Sequence, residues 1–186
     1  MSTSLWSSLV EARRQRLDAE TRWRRPVTFD GRGPQGVLVE DGTKVVTFAS
    51  DDYLGLSLHP TVVAAAHDAL DRWGTGAGAS RLVMGGPVHA ELESALATWK
   101  GAERAAEFPS GFAAGVGVLD SFGDHGVRIC SDEHNHASIV DGARLSRAEV
   151  VEYRHRDVEH LEVLLREARG PALVVTEVVF SMDGDV

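Results

Sequence analysis

The chain has 186 residues and a formal net charge of -9, with 43% hydrophobic and 25% charged residues. These proportions are typical of globular domains and exclude a disordered or fibrous protein. The acidic balance argues against a nucleic-acid or anionic-membrane surface, and no apolar run approaches the roughly 20 residues that span a bilayer. The single cysteine, Cys130, rules out a disulfide within these residues and a thiolate zinc site. Because the first 20 residues lack a secretory pattern, we expect a cytoplasmic protein.

The first predicted elements are a helix and a hairpin. Apolar residues recur at near-helical spacing between arginines over residues 5–20, which predicts an amphipathic leading helix. The stretch GVLVEDGTKVVTFAS then holds two β-rich runs around Asp41 and Gly42, a pair that suits a tight turn. We therefore assign residues 1–58 to an N-terminal helix and hairpin segment.

From residue 59 onward the pattern alternates between helices and short apolar runs. Proline at position 60 opens a helix that Gly74 ends, and Gly101 ends a second helix in HAELESALATWKG. There follow a strand near 105–108, a helix from Ser110 to about Phe122, a strand near 127–130, a helix after Asn135, a strand around Val150, a helix opened by Asp157, and the strand ALVVTEVVF. This alternation predicts an α/β fold whose mostly parallel, helix-flanked sheet occupies residues 59–186.

The strand ALVVTEVVF is almost continuously apolar. Such a strand is buried on both faces, as in the middle of a parallel sheet. Only six residues, ending at Val186, follow it. We therefore expect the chain to be incomplete relative to its fold.

Two glycine-rich stretches could bind a phosphate group. GTGAGAS follows a helix, has Ala79 in place of the last glycine of a dinucleotide motif, and precedes no Gly-Lys-Ser or Gly-Lys-Thr, so we disfavour a nicotinamide-dinucleotide or P-loop site. In EFPSGFAAGVGVL, Ser110 can cap a helix that Gly111 opens. The free N–H groups there form either an anion cradle or an ordinary helix start.

The segment SDEHNHASIV places five polar residues, 132–136, in a row. His134 and His136 would converge on a metal only on a strand, whereas the segment joins a strand to a helix, so we predict no metal site. A polar capping loop and an aromatic or acid/base role for one imidazole both remain open. Taken singly, Ser181 is a turn serine, but with Gly111 and His136 it follows a predicted strand and would line one edge of the sheet.

Several phrases together resemble the α-oxoamine synthases, which are pyridoxal 5'-phosphate (PLP) enzymes of the aspartate-aminotransferase fold type. They are FASDDYLGLSLHP, GTGAGASRLVMGGPVHAELE, FPSGFAAGVGVL, SDEHNHASIVDGARLS, YRHRD and VVTEVVFSMDGD, and the similarity runs from about Leu9 to the last residue. The resemblance implies the N-terminal part of a fold-type I PLP-binding large domain. Within the family, GAGASRLVMGGPVHAELE is most similar to members that join a pimeloyl thioester to L-alanine.

The resemblance also implies roles for individual residues. His136 would stack over the cofactor's pyridine ring and approach the substrate, as both a catalytic and a binding residue, whereas Asp132, Glu133 and His134 would form a solvated loop. Gly111 and Phe112 would contact the cofactor near its phosphate, and Ser181 would be a further cofactor contact. Arg22 would bind a substrate carboxylate through its guanidinium fork, with Arg24 and Arg25 as neighbouring alternatives.

The implied reaction condenses an acyl-CoA with an amino acid, with loss of carbon dioxide, to give 8-amino-7-oxononanoate for biotin biosynthesis. An amino acid would displace a protein lysine from the cofactor, which then serves as an electron sink. The implied partners are the acyl-CoA, the amino acid and a second copy of the chain in a homodimer. Another α-oxoamine synthase, using a different acyl-CoA or amino acid, is the alternative.

This sequence departs from the family pattern at several positions. Asp51 and Gly115 stand where the family usually has asparagine, and an extra negative charge at Asp51 could weaken binding of a substrate carboxylate. The family's Schiff-base lysine, with the aspartate and histidine that accompany it, falls after Ser181. Lys44 in the hairpin and Lys100 at a helix end cannot replace it. We therefore expect this chain alone to be inactive, as a fragment or a truncated remnant.

Overall fold

A computed structural model describes residues 4–186, so positions 1–3 of the predicted N-terminal segment lie outside the described residues. The chain divides into two compact units, one running to Gly78 and the other from Ala79 to Val186. The domain boundary predicted after residue 58 stays a prediction.

The N-terminal unit contains the predicted helix and hairpin. Helix α1 spans Leu5–Ala19 and begins where the Ser4 hydroxyl accepts a hydrogen bond from the Ser7 amide at 3.2 Å. Three antiparallel strands follow in the order β1 Phe29–Arg32, β2 Gln35–Leu38 and β3 Lys44–Val46. The predicted hairpin joins β2 to β3, and Gly42 has a φ of 73°, which favours glycine.

A short helical segment and one longer helix complete this unit. Residues Leu56–Leu58 form a single 3-10 turn, and α2 spans Pro60–Trp73. Proline stands at the start of α2, where its missing N–H is not needed, and Gly74 ends the helix with a φ of 79°. Both ends of α2 therefore agree with the prediction.

In the second unit, helices and strands alternate along most of the sequence. Its elements are α3 Pro87–Lys100, α4 Gly111–Phe122, β4 Arg128–Asp132, α5 Ala137–Leu145, β5 Glu149–Tyr153, α6 Val158–Arg166 and β6 Ala172–Val175. The strands form a parallel sheet in the order β5, β4, β6. This confirms the predicted α/β class with a parallel, helix-flanked sheet.

Two predictions about strands are wrong. Residues 105–108 form no strand, and ALVVTEVVF is a strand only at Ala172–Val175, where β6 lies at an edge of the described sheet. Its apolar side chains are not uniformly buried, since Val178 is 86% exposed. The central position belongs to β4, which is paired on both sides.

The core of the second unit lies under the central strand. Ile129 and Cys130 of β4 are 0% exposed, and Ile129 packs with Leu119 of α4 and Ala143 of α5. Burial raises the pKa of the Cys130 thiol. The core therefore fixes α4, β4 and α5 against one another.

Helices α4 and α5 approach closely because Gly142 has no side chain. A Cβ atom at that position would lie 2.9 Å from Val116 Cα and 3.0 Å from the Gly115 carbonyl oxygen. These are backbone atoms, which cannot move aside as a flexible side chain would. The spacing of the two helices thus depends on this glycine.

The helices of this chain are modest in length. Helix α1, the longest of them, has 15 residues, whereas a membrane-spanning helix needs about 20 predominantly apolar ones. Within residues 4–186, no helix is both long and apolar enough to cross a membrane.

Candidate functional site

The loop at the carboxyl end of β4 is tied to the neighbouring strand by Asn135. The Asn135 side-chain Nδ2 donates to the Ser131 hydroxyl at 2.9 Å and to the Val175 carbonyl at 2.8 Å. Its Oδ1 atom is buried without a hydrogen-bond partner. Asn135 therefore fixes the path of the chain immediately before His136.

His136 caps the N-terminus of α5 with its own ring. Its Nδ1 accepts a hydrogen bond from the Ser138 amide at 3.2 Å and lies 2.8 Å from the Ser138 hydroxyl. Because Nδ1 accepts from a backbone N–H, the neutral ring carries its proton on Nε2. The His136 amide in turn donates to the Glu177 carboxylate, a contact that the sequence did not predict.

The first turn of α4 lies next to the His136 ring. The Phe112 and His136 ring centroids are 6.5 Å apart with an interplanar angle of 75°, an edge-on arrangement. Ser110 caps α4, as predicted, and its hydroxyl accepts from the Ala113 amide at 3.1 Å. A Cβ atom at Gly111 would meet nothing within 4 Å, so a ligand can approach this helix start closely.

Gly115, where the resemblance implies asparagine, packs closely against Ser138 of α5. A Cβ atom at Gly115 would lie 2.7 Å from the Ser138 hydroxyl oxygen and 3.0 Å from Ser138 Cβ. Any side chain there would displace Ser138, and with it the hydrogen bonds that Ser138 makes to His136. In this chain the glycine preserves the capping geometry of His136.

Asp132 was expected to lie in a solvated loop, and this is wrong. It is only 2% exposed, and its carboxylate accepts hydrogen bonds from the His134 amide at 2.9 Å, the Arg156 amide at 3.0 Å and His155 Nδ1 at 2.8 Å. Burial acts to raise the pKa of the Asp132 carboxyl, but the two amides and the imidazole outweigh it and hold the pKa below its usual value. Glu133 and His134 are exposed, as predicted.

The His155 ring extends this network to the C-terminal turn. Its Nε2 lies 2.8 Å from Asp185 Oδ2, and Arg156 Nη1 lies 3.2 Å from the same oxygen. The carboxylate of Asp185, and then that of Asp132, raises the pKa of His155. The His155 ring also holds the pKa of Asp185 below its usual value. We did not single out these residues from the sequence, although YRHRD and MDGD both carried the resemblance.

Ser181 lies in the turn that Asp185 closes. The Phe180 amide donates to the Asp185 carbonyl at 2.9 Å, and the Gly184 amide donates to the Phe180 carbonyl at 2.8 Å. Phe180 is buried, whereas Ser181 beside it is exposed. Ser181 is six residues beyond the end of β6, so it does not directly follow a strand as we had expected.

The predicted site residues lie in different parts of the chain. His136 follows β4, but Gly111 follows an irregular segment instead of a strand. Arg22 lies in the N-terminal unit, where its Nη1 is 3.3 Å from a Glu20 carboxylate oxygen. The structure thus brings Phe112 and His136 together, and the roles assigned to all the site residues stay predictions.

Potential metal ligands and the two lysines are the remaining reactive groups. Among residues 4–186, no cluster of three or more His, Cys, Asp or Glu side chains is arranged to hold a metal ion. Lys44 lies in β3 of the N-terminal unit, and Lys100 ends α3, with its Nζ 4.8 Å from the Trp99 ring centroid.

Residues 43–186 match the family model described as aminotransferase class I and II. This match covers most of the chain, which therefore belongs to that family. The predicted similarity to α-oxoamine synthases is confirmed by the individual relatives within it.

Among curated proteins, the chain is 47% identical over 158 residues to an 8-amino-7-oxononanoate synthase of Thermoanaerobacter pseudethanolicus, covering 83% of this chain and 40% of the relative. It is also 47% identical over 193 residues to that of Methylobacterium nodulans, covering 100% of this chain and 50% of the relative. The chain thus spans about half the length, or less, of these relatives.

Two solved structures are also similar to this chain. A variant of serine palmitoyltransferase from S. paucimobilis, with a bound PLP–myriocin aldimine, superposes with a TM-score of 0.86 at 31% identity, covering 99% of this chain and 48% of that one. The 8-amino-7-oxononanoate synthase of Francisella tularensis gives 0.61 at 29% identity, covering 75% and 38%. The predicted fold type is therefore confirmed for the part of that fold that this chain represents.

Proposed function

We propose that this chain forms the N-terminal half of a PLP-dependent C-acyltransferase. The reaction condenses a pimeloyl thioester with L-alanine, with loss of carbon dioxide, to give 8-amino-7-oxononanoate in biotin biosynthesis. One observation carries the proposal: the His136 ring lies beside Phe112 in the first turn of α4, and the space next to Gly111 at that helix start is free. The 47% identity to curated 8-amino-7-oxononanoate synthases supports this particular reaction.

The residues around His136 fit PLP in both its charged and its aromatic parts. The first N–H groups of α4 have no partner within the helix, and the space beside Gly111 is open to a phosphate. The flat rings of His136 and Phe112 suit an aromatic ligand. When bound, PLP supplies an electron sink for the α-carbon of the amino acid.

His136 is the group of this chain best placed to handle a proton. Its Nδ1 is committed to Ser138, so the neutral ring presents an N–H at Nε2. The hydrogen bond from its amide to Glu177 and the cap of α5 hold the ring in one orientation. A positioned general acid or base of this kind contributes roughly 10²- to 10⁴-fold to a rate.

The substrate contacts are proposed from the N-terminal unit. Arg22 is exposed and carries a guanidinium that can pair with a carboxylate in a two-pronged fashion. Asp51, whose Oδ1 lies 3.3 Å from the Tyr53 hydroxyl, adds a negative charge where the resemblance implies asparagine, and we expect this charge to weaken carboxylate binding. The full protein is proposed to act as a cytoplasmic homodimer.

A second α-oxoamine synthase reaction is supported by one observation. The TM-score to serine palmitoyltransferase, 0.86, exceeds that to the 8-amino-7-oxononanoate synthase from Francisella tularensis, 0.61. Sequence identity favours the first assignment, since it is 47% to curated 8-amino-7-oxononanoate synthases and 31% to serine palmitoyltransferase. Palmitoyl-CoA and L-serine are therefore the second substrate pair to test.

Coenzyme A release by the full-length protein tests the proposal. With PLP present, pimeloyl-CoA plus L-alanine should give rapid release, and either substrate alone should give none. Faster release with palmitoyl-CoA and L-serine would replace the first assignment with the second. A full-length protein that binds no PLP and releases no coenzyme A with either pair would instead be a non-catalytic relative, contrary to the proposal.

A further inference from the structure

His155 makes two hydrogen bonds that a neutral imidazole cannot make together. Its Nδ1 lies 2.8 Å from Asp132 Oδ1, and its Nε2 lies 2.8 Å from Asp185 Oδ2. Ionised carboxylates only accept hydrogen bonds, and a neutral imidazole has a single N–H. Both contacts can therefore exist at once only when His155 is doubly protonated and positively charged.

The groups around the ring favour that charge. Asp132 comes from the end of β4 and Asp185 from the C-terminal turn, so carboxylates flank the ring at both nitrogens. Exposed Glu133 accepts a hydrogen bond from the His155 amide at 2.8 Å. Arg156 pairs with Asp185 at 3.2 Å, and the stacked His134 ring is the other titratable group beside His155. Negative charges outnumber positive ones among these groups, and this favours a positively charged imidazole.

Aromatic contacts fix the plane of the ring. The His134 ring stacks on His155 with centroids 4.2 Å apart and an interplanar angle of 23°. The Phe180 ring meets it edge-on, at 4.5 Å and 87°. His155 is thus held by two side chains that belong to the same two segments as its carboxylate partners.

Those two segments carry the predicted cofactor contacts. Asp132, the last residue of β4, and His134 precede His136, and Phe180 and Asp185 bound the turn that carries Ser181. We propose that the His155 imidazolium is a positioning residue that clamps the Ser181 turn onto the His136 loop, and that the clamp loosens when His155 loses its second proton. The link to cofactor binding, though not the clamp itself, rests on the proposed function.

The direction of the pH dependence follows from the partners. The pKa of His155 is raised in the folded protein, by Asp185 first and then by Asp132. The stabilisation is therefore fully present below the ordinary histidine pKa of about 6.5 and is lost as the pH rises through the higher folded value. Asp132 and Asp185 have lowered pKa values, so the lower limit lies below the ordinary aspartate range.

The Gly184 amide, which donates to Phe180 within the turn, offers a local measurement. Its hydrogen-exchange protection factor can be followed by NMR in the full-length protein from pH 5 to pH 9. Wild-type protection should be constant at low pH and fall roughly 10-fold or more as His155 deprotonates. Asp185→Ala should lower it roughly 10- to 100-fold at pH 6, because the charged hydrogen bond is gone.

Asp185→Asn separates a charged clamp from simple packing. An asparagine amide can donate to Nε2 of a neutral ring whose Nδ1–H still reaches Asp132, so this variant should keep much of the protection and lose its pH dependence. His125→Gln, at an exposed histidine of the same unit, should behave as wild type. If wild type and Asp185→Asn gave the same pH profile, or Asp185→Ala left the protection unchanged, the clamp would be refuted.

The dissociation constant for PLP, measured by fluorescence in the same variants, tests the link to the cofactor. If the clamp positions Ser181, Asp185→Ala should weaken PLP binding at pH 6, while Asp185→Asn should make the affinity less dependent on pH. Unchanged affinity in Asp185→Ala would overturn the link. A wild-type protein that does not bind PLP would refute the proposed function, while the exchange profiles would still decide on the clamp.

Discussion

The two compact units of this chain are stabilised in different ways. Over residues 4–78, no side chain is buried, and large apolar groups such as Trp6 at 76% and Phe48 at 96% are exposed. In the second unit, by contrast, Ile129 is fully buried and Asp132 nearly so. The first unit depends on local caps and hairpin hydrogen bonds, whereas the second holds side chains from distant segments in fixed positions. The residues around His136 have the second kind of support, which holds functional side chains in place.

Substitutions of His136 give the sharpest test of this contrast. In the full-length protein, His136→Ala should lower kcat roughly 10²- to 10⁴-fold because the proton-handling group is lost. His136→Asn should lower kcat equally while restoring the α5 cap, since asparagine is a good N-cap residue. Steady-state kinetics and thermal unfolding of both variants, beside the exposed-site control His125→Ala, separate chemistry from stability. Wild-type turnover in His136→Asn would remove the imidazole from the mechanism.

The buried core should dominate stability. Ile129→Ala removes a fully buried side chain between α4 and α5 and should lower the free energy of unfolding by about 2–5 kcal/mol. Val10→Ala in exposed α1 should change it by no more than about 0.5 kcal/mol. Urea denaturation of the two variants measures the difference. Equal losses would mean that the first unit has a core of its own and that the two units are stabilised alike.

A smaller effect is expected from the spacing of α4 and α5. Gly142→Ala forces a Cβ atom against the α4 backbone and should cost about 1–3 kcal/mol, despite alanine's better helix propensity. Gly76→Ala is the matched control, because a Cβ atom there meets nothing within 4 Å. Thermal melts compare the pair. A stabilised Gly142→Ala variant would show that the two helices can separate without loss.

The smallest effect should come from the surface of α1. Arg14 lowers the pKa of Glu11 to about 2, but both side chains are exposed and the pair is screened by solvent. Whatever stability it gives is present above the usual pKa of 4.5 and is lost as the pH falls through about 2. Glu11→Gln should leave the urea midpoint at pH 7 unchanged within error. A clear loss would indicate that this exposed helix contributes more than local contacts suggest.

The sequence predicted helices better than it predicted strands. Ser110, Asp157 and Gly101 mark helix ends through local hydrogen bonds and backbone angles, so nearby residues suffice to predict them. The central strand depends on pairing with distant segments. The sequence of β4, RICSD, has charged ends and is buried, whereas the more apolar ALVVTEVVF supplies an edge strand. Apolar content alone did not reveal which strand lies in the middle.

The candidate site was predicted in the same uneven way. Ser110 and the α4 start could be located from spacing, and His136 from its resemblance to a family motif. The burial of Asp132 could not be anticipated, because its partner His155 lies 23 residues away and Asp185 a further 30. A carboxylate among polar neighbours is ordinarily solvated, and only the folded sheet brings these three side chains together.

The full burial of Cys130 has a practical consequence for following this fold. It is the only thiol within these 186 residues, it sits in the central strand, and its burial both shields it and disfavours the reactive thiolate. An aromatic disulfide reagent can therefore label it only after β4 separates from its neighbours. The rate of labelling therefore reports how fast the sheet that supports His136 opens.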